Sequence, residues 1–396
     1  MATERGRRPS KERGKPGKGG PPPAAAPGSA SRRLAMDAII RINTGGAYAN
    51  LVLPEMLERS TLSAADRRFV TELVYGSTRM RRACRYLADR FLVGPVDDEV
   101  AAALQIGTYQ LAFLGTPAHA AVDATVGAVR GKGRSVVNAV LRRVAEAPMT
   151  YPDQATELSY PDWLVDRLTG FLGPEVTTEA LIAMNRPAVT NVRDDGYVQD
   201  IASQKVVELV GAGPGEIVVD VCAAPGGKAT GLAASGAFVV AADRRLSRTR
   251  LVAANAERLD SPIGIVTADG RRPAVRPGSV DKVLVDAPCS GFGSLRRRAD
   301  ARWRIEPEAP ERLAELQVEL VLAALDLVRP GGEVIYSVCT LDEAEGPGVI
   351  DAVLAARPGV TLGEHPGDPW LAKGSVSVLI PDEHDGMMFA RLVTQR

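Results

Sequence analysis

Asp220-Val221-Cys222-Ala223-Ala224-Pro225-Gly226-Gly227-Lys228 is the stretch that decides the fold. An apolar run, Ile217 to Asp220, leads into it and a segment of helical character follows, which reads as strand, turn, helix. Glycines at such a turn let the backbone approach a ligand closely. The first N–H groups of the helix are free to meet a carboxylate or a ribose oxygen. A plain strand-to-helix turn carries the same glycines, so the remaining strand ends have to decide between the two readings.

Downstream the pattern repeats. Strand-like runs occur at Ile263 to Asp269, Phe238 to Asp243, Lys282 to Asp286 and Glu333 to Ser337, each separated from the next by a turn or a helical segment. Apolar strands alternating with helices predict a doubly wound α/β domain with a parallel sheet covered on both faces, whose ligands bind beyond the carboxyl ends of the strands. Val376 to Ile380 and Met387 to Val393 are expected to form an antiparallel pair at one edge.

Acids sit at these strand ends. Asp243 closes the second run, where a carboxylate can accept hydrogen bonds from ribose hydroxyls. Asp269 closes the third, suited to an exocyclic adenine amine, and Asp286 closes the fourth. Carboxylates sharing one rim repel unless they bind donors. A cationic, adenosine-bearing cofactor such as S-adenosylmethionine suits that rim better than a pyrophosphate dinucleotide.

Two of the four cysteines lie at neighbouring strand tips, in Asp286-Ala287-Pro288-Cys289-Ser290-Gly291 and in Tyr336-Ser337-Val338-Cys339-Thr340. A single buried cysteine is usually a small hydrophobe. A pair over one pocket, beside Asp286, calls for chemistry. Carbon 5 of cytosine is too electron-poor to attack a methyl sulfonium, whereas thiolate addition to carbon 6 makes it nucleophilic. One cysteine would attack and the other assist release. Asp286 would hydrogen-bond the ring and Lys228 would position a ligand. Spacing alone does not say which thiol is which.

The rest of the chain frames this domain. Residues 1–30, rich in Gly, Pro, Lys and Arg, read as a disordered basic tail. Residues 31–149 read as an all-α bundle, with Leu34, Ala35, Ala38, Ile39 and Ile42 at helical spacing. A connecting segment, 150–205, is punctuated by Pro152 and Pro161, and 206–396 hold the α/β domain. The 48 basic and 48 acidic side chains balance, so any argument for a polyanionic partner rests on clusters: Arg79 to Arg85, Arg130 to Arg134 and Arg296 to Arg298. The absence of a long apolar run, a secretory signal and a Cys-x-x-Cys pair predicts a cytoplasmic protein with reduced thiols, no membrane span and no metal. Nothing indicates an obligate oligomer, and a monomer is expected.

Taken together, Asp220 to Lys228, Asp243, Arg248, Asp269, Asp286 to Gly291, Arg297, Trp303, Ser337 to Leu341 and Asp385-Gly386 resemble the RNA cytosine-5 methyltransferases of the Fmu/Sun family. The bacterial branch of that family modifies small-subunit ribosomal RNA. Tyr75-Gly76-Ser77-Thr78-Arg79, Gly107 to Leu111 and Val137 to Arg143 resemble the NusB-like RNA-binding domain of the same branch. The resemblance implies Cys339 as nucleophile, Cys289 as release partner, and structured RNA as substrate with the basic clusters as phosphate contacts. It implies Cys222, Ala223, Ala224, Pro225, Gly226, Gly227, Lys228, Asp243, Arg248, Asp269 and Asp286 as the S-adenosylmethionine site.

Three departures stand out. The family carries several dozen more residues between the positions of Arg193 and Asp194; Arg302 replaces a lysine before Trp303; and Glu345-Gly346-Pro347 replaces a Glu-Asn-Glu-like run, altering the cap of the following helix. Two other functions compete. A nucleotide-dependent oxidoreductase needs a G-x-G-x-x-G spacing that is missing here. A noncatalytic RNA-binding or ribosome-assembly factor would keep the fold without turnover.

Overall fold

In a computed structural model, which describes residues 28–395, helices occupy the first half and a mixed sheet the second. Most of the expected basic tail lies outside the described residues. The first helix, Ser29–Thr44, begins two residues earlier than the composition suggests, because Ser31 and Arg32 are already buried, with Arg32 Nε donating to Gln110 Oε1 at 2.9 Å. Helices from there to Gly133–Glu146 enclose a core that includes Met36, Ile39, Leu73, Ile106 and Leu141. Gly107 lets two of them meet, since a Cβ there would lie 2.5 Å from Leu141 Cδ1.

The connecting segment is no bare linker. Its helices Asp162–Leu172 and Pro174–Met184 send Leu164, Leu168, Leu181 and Met184 into the core beneath the sheet, beside Val283, Phe292 and Tyr336. After Arg193 the chain reverses tightly, with Val192 bridged to Val198 and Gly196 in the left-handed region.

The strands are β1 (Ile217–Asp220), β2 (Phe238–Asp243), β3 (Gly264–Thr267), β4 (Val280–Asp286), β5 (Val328–Val338), β6 (Val360–Leu362), β7 (Leu371–Lys373), β8 (Val376–Leu379) and β9 (Met387–Thr394). Their order is β3-β2-β1-β4-β5-β9-β8-β7, with β6 paired to β9. The first five run parallel. Two expectations need correction. Asp269 does not close β3 but lies two residues past it, in the loop whose Ala268 N–H donates to Asp243 O. The last two runs do pair, yet β9 lies inside the sheet, antiparallel to β5, and the edge strand is the short β7.

A seam joins the halves, formed by the loop from Ser290 to Arg304. Trp303 Nε1 donates to Thr78 O at 2.7 Å, Arg79 Nη2 to Arg296 O at 3.3 Å, and Arg302 Nη1 to Ser159 O at 3.2 Å and Asn185 Oδ1 at 2.8 Å. This overturns part of the phosphate-contact reading. Arg79, Arg296 and Arg302 are buried, and Arg82 binds Tyr160 O and Asp162, so these cations are taken up in joining the halves. Arg130, Lys132 and Arg134 remain exposed at the start of the helix Gly133–Glu146.

Candidate active site

Strand order reverses between β1 and β4, and such a switch point opens a crevice beyond the strand ends. A cavity of about 450 Å³ occupies it, lined by Cys222, Ala224, Asp243, Arg248, Asp269, Asp286, Cys289, Arg298 and Cys339 among others. A larger cavity of about 580 Å³ lies among the N-terminal helices. Its one thiol, Cys84, is fully buried and pushed up by that burial, so it offers no nucleophile.

Each rim acid is held by a basic side chain. Asp243 accepts from Arg248 Nε at 2.9 Å and from Arg245 N–H at 3.1 Å. Asp269 accepts from Arg271 Nη2 at 2.8 Å, and these hydrogen bonds pull its carboxyl down to about 2. Asp286 accepts from Lys228 Nζ at 2.7 Å and from Ser337 Oγ at 2.9 Å. Burial alone would lower the lysine, but the charge and hydrogen bond of Asp286 outweigh it and hold the ammonium above its ordinary value. Beneath them lies Asp220, the last residue of β1, for which the motif alone implies no role. It is fully buried, and burial followed by the charge of Asp286 pushes it up to about 7. Among the described residues its Oδ2 has no partner. A rim of acceptors with an orphaned carboxylate oxygen behind it fits a ligand that brings hydroxyl and amine donors and a positive charge, which is the chemistry of S-adenosylmethionine.

The turn residues divide. Cys222 and Ala224 line the cavity, whereas Ala223, Pro225, Gly226, Gly227 and Lys228 do not, Lys228 reaching it only through its bond to Asp286. Gly226 has φ of +109°, which favours glycine. At Gly227 the constraint is packing, because a Cβ would lie 2.7 Å from Tyr197 Cε1. Arg193 straps the same turn, donating to Gly227 O at 2.5 Å and stacking on Tyr197.

β4 and β5 place Asp286 opposite Ser337, which brings the two thiols together: Cys289 Sγ and Cys339 Sγ are 3.3 Å apart. The hydrogen bond from Cys289 lowers Cys339 below the ordinary thiol value, with Lys228 and Ser294 also favouring its thiolate. That same bond raises Cys289. Cys339 therefore ionises first.

A polar network that the sequence did not reveal braces both tips. Ser290 follows Cys289 and Thr340 follows Cys339, and their hydroxyls are 2.7 Å apart. Glu345 accepts from Ser290 N–H at 2.9 Å, from Ser290 Oγ, and from Gln317 Nε2 at 2.9 Å. Gln317 also donates to Pro288 O at 2.9 Å, so the peptide carrying Cys289 is gripped on both sides. Glu345 is fully buried and pushed up to about 7 by that burial. The next helix, Pro347–Ala356, has no side-chain cap, as the departure at Glu345-Gly346-Pro347 suggested.

A mixed sheet whose first five strands run parallel, with antiparallel β9 beside β5 and an acid-lined switch-point crevice, defines a Rossmann-like methyltransferase fold. The family model described as "16S rRNA methyltransferase RsmB/F" matches residues 208–393, and the NusB family model matches residues 29–146. The chain is 36% identical to the Thermus thermophilus "Ribosomal RNA small subunit methyltransferase B", covering 91% of this chain and 97% of that one. It is 28% identical to the Klebsiella pneumoniae protein of the same name, over 92% and 98% of the two chains. The crystal structure of PH0851 has the same fold, with a TM-score of 0.72 at 21% identity over 94% of this chain and all of that one. The chain belongs to the RsmB/F methyltransferase family, with a NusB domain at its N-terminus, and its methyl donor is S-adenosylmethionine. Membership sets the oxidoreductase reading aside.

Proposed function

We propose that this protein methylates carbon 5 of a cytosine in structured RNA, namely small-subunit ribosomal RNA, acting in the cytoplasm as a monomer. The observation that carries this reading is the thiol pair, 3.3 Å apart beside the Asp286–Lys228 ion pair. When bound, S-adenosylmethionine supplies an electrophilic methyl group, and Asp243, Asp269 and the turn from Cys222 to Lys228 are the residues proposed to hold it.

Cys339 adds to carbon 6 as the thiolate, its electron pair forming the sulfur–carbon bond while the ring's π pair moves towards carbon 5. Asp286 accepts a hydrogen bond from the exocyclic amine of the base, and Lys228, paired with it, offsets the added negative charge. Carbon 5 uses that pair to take the methyl group, the donor's methyl–sulfur bond breaking with its pair left on the sulfur, and then loses its proton to water in the open crevice. The released electrons rebuild the ring double bond and the bond to Cys339 breaks. Cys289 donates to the sulfur of Cys339, which favours the thiolate form before attack and stabilises the thiolate as it leaves.

Incubation with unmodified small-subunit ribosomal RNA and labelled S-adenosylmethionine tests the reaction, with label expected at carbon 5 of cytosine. Cys289→Ala is expected to accumulate a denaturant-stable protein–RNA adduct and Cys339→Ala to form none; the opposite pattern would reverse the roles. RNA binding without label would favour a noncatalytic assembly factor.

A further inference from the structure

We infer that Arg298 is the phosphate clamp of the crevice, contacting an RNA backbone phosphate beside the flipped target nucleotide. The inference rests on the RNA reading above and adds a binding residue to it.

Arg296, Arg297 and Arg298 are consecutive in sequence but have different surroundings. Arg296 is buried and bonded to Ala183 O and Asp382 O. Arg297 donates to Asp200 Oδ2 at 2.5 Å and Asp385 Oδ2 at 3.1 Å. Arg298 is exposed, lines the crevice together with Cys289 and Cys339, and among the described residues has neither a hydrogen-bond acceptor nor an ion-pair partner. The acids sharing that crevice are already matched, Asp243 with Arg248, Asp269 with Arg271 and Asp286 with Lys228. Arg244 and Arg245 also line the crevice without a side-chain partner among the described residues, but they follow Asp243 directly, whereas Arg298 is the unmatched guanidinium next to the thiol loop, where it attracts an anion from outside.

Its position is built rather than incidental. The side chain lies over Gly291, two residues past Cys289, where φ is +77° and a Cβ would lie 2.8 Å from Arg298 Nη1. Glycine there leaves room for the guanidinium at the thiol end of the crevice, away from Asp243 and Asp269. A base that reaches Cys339 brings its own phosphodiester to the crevice mouth, and a planar guanidinium suits phosphate oxygens.

The test uses the full chain, transcribed small-subunit ribosomal RNA and S-adenosylmethionine. Arg298→Ala is expected to raise KM for RNA about tenfold and to lower the salt slope of RNA binding by about one, while KM for S-adenosylmethionine holds. Arg298→Lys should recover part of the loss, since it keeps the charge without the fork. An unchanged RNA KM and salt slope would overturn the inference, and so would a rise in KM for S-adenosylmethionine alone, which would assign the arginine to the cofactor. If the wild-type chain neither binds nor methylates the RNA, the proposed function fails and the clamp with it.

Discussion

The thiol tips and the arginine seam are both buried and polar, but they are satisfied differently. At the tips, Asp286, Ser290, Gln317, Ser337, Thr340 and Glu345 bond to one another or to Lys228. At the seam, Arg79 Nε, Arg296 Nε, and Arg302 Nε and Nη2 have no hydrogen-bond partner among the described residues, although Arg296 Nε lies 3.8 Å from Asp385 Oδ1. Arg302 bonds to carbonyls and stacks 3.9 Å from the centre of the Tyr160 ring, and burial without a carboxylate partner pulls it down to about 10. The tips hold one geometry, as a reaction centre requires. The seam holds two halves together largely through arginine bonds to carbonyl oxygens, and Arg79 and Arg302 have no carboxylate in contact among the described residues.

The largest effects should fall at the tips. Cys339→Ala is expected to lower methyl transfer on the order of 10³-fold or more, read as label incorporation at saturating RNA. Residual activity above that level would mean the thiol does not attack. Glu345→Ala strands the Ser290 and Gln317 donors and should cost about 3 kcal/mol in chemical denaturation. Glu345→Gln sharpens the point through pH. Unfolded carboxyls titrate near about 4, whereas folded Glu345 and Asp220 titrate at about 7. Between those values the folded protein keeps protons that the unfolded chain has released, so stability falls as pH rises through the window. Removing one such group should flatten that decline, and an unchanged slope would exclude Glu345 as its source.

The tips were legible in sequence where the seam was not, and the reason is local. Strand ends carry acids and cysteines in short motifs, so Asp286, Cys289 and Cys339 could be placed before any coordinates. Register then did the rest, pairing Asp286 with Ser337. Glu345 and Asp220 escaped because burial depends on the whole fold and leaves no mark in the motif. The family resemblance implies phosphate contacts for the arginine runs, and nothing in a short run of arginines distinguishes a buried one from the usual exposed one. Arg79 and Arg302 lie far apart in sequence, and only the packing of the halves shows that they meet, Arg302 Nη1 donating to Arg79 O at 3.4 Å.

Seam substitutions should have smaller effects, which is where the contrast is most easily broken. Arg302→Met keeps the volume while removing a buried charge, and is expected within about 1.5 kcal/mol of wild type in chemical denaturation. A cost matching Glu345→Ala would show that the seam guanidinium is held as firmly as the acids at the tips. Trp303→Phe gives the smallest change. It keeps an aromatic ring beneath Arg81 and removes the indole donor to Thr78 O along with one ring of a half-buried indole, so a loss of about 1 kcal/mol is expected. Because that ring lies on the loop running back to Cys289, the same variant reports on coupling between the regions. Unchanged kcat in labelled-methyl assays would mean that the tips hold their geometry without the seam, whereas a fall in kcat larger than the stability loss explains would mean that the helical half helps to set it.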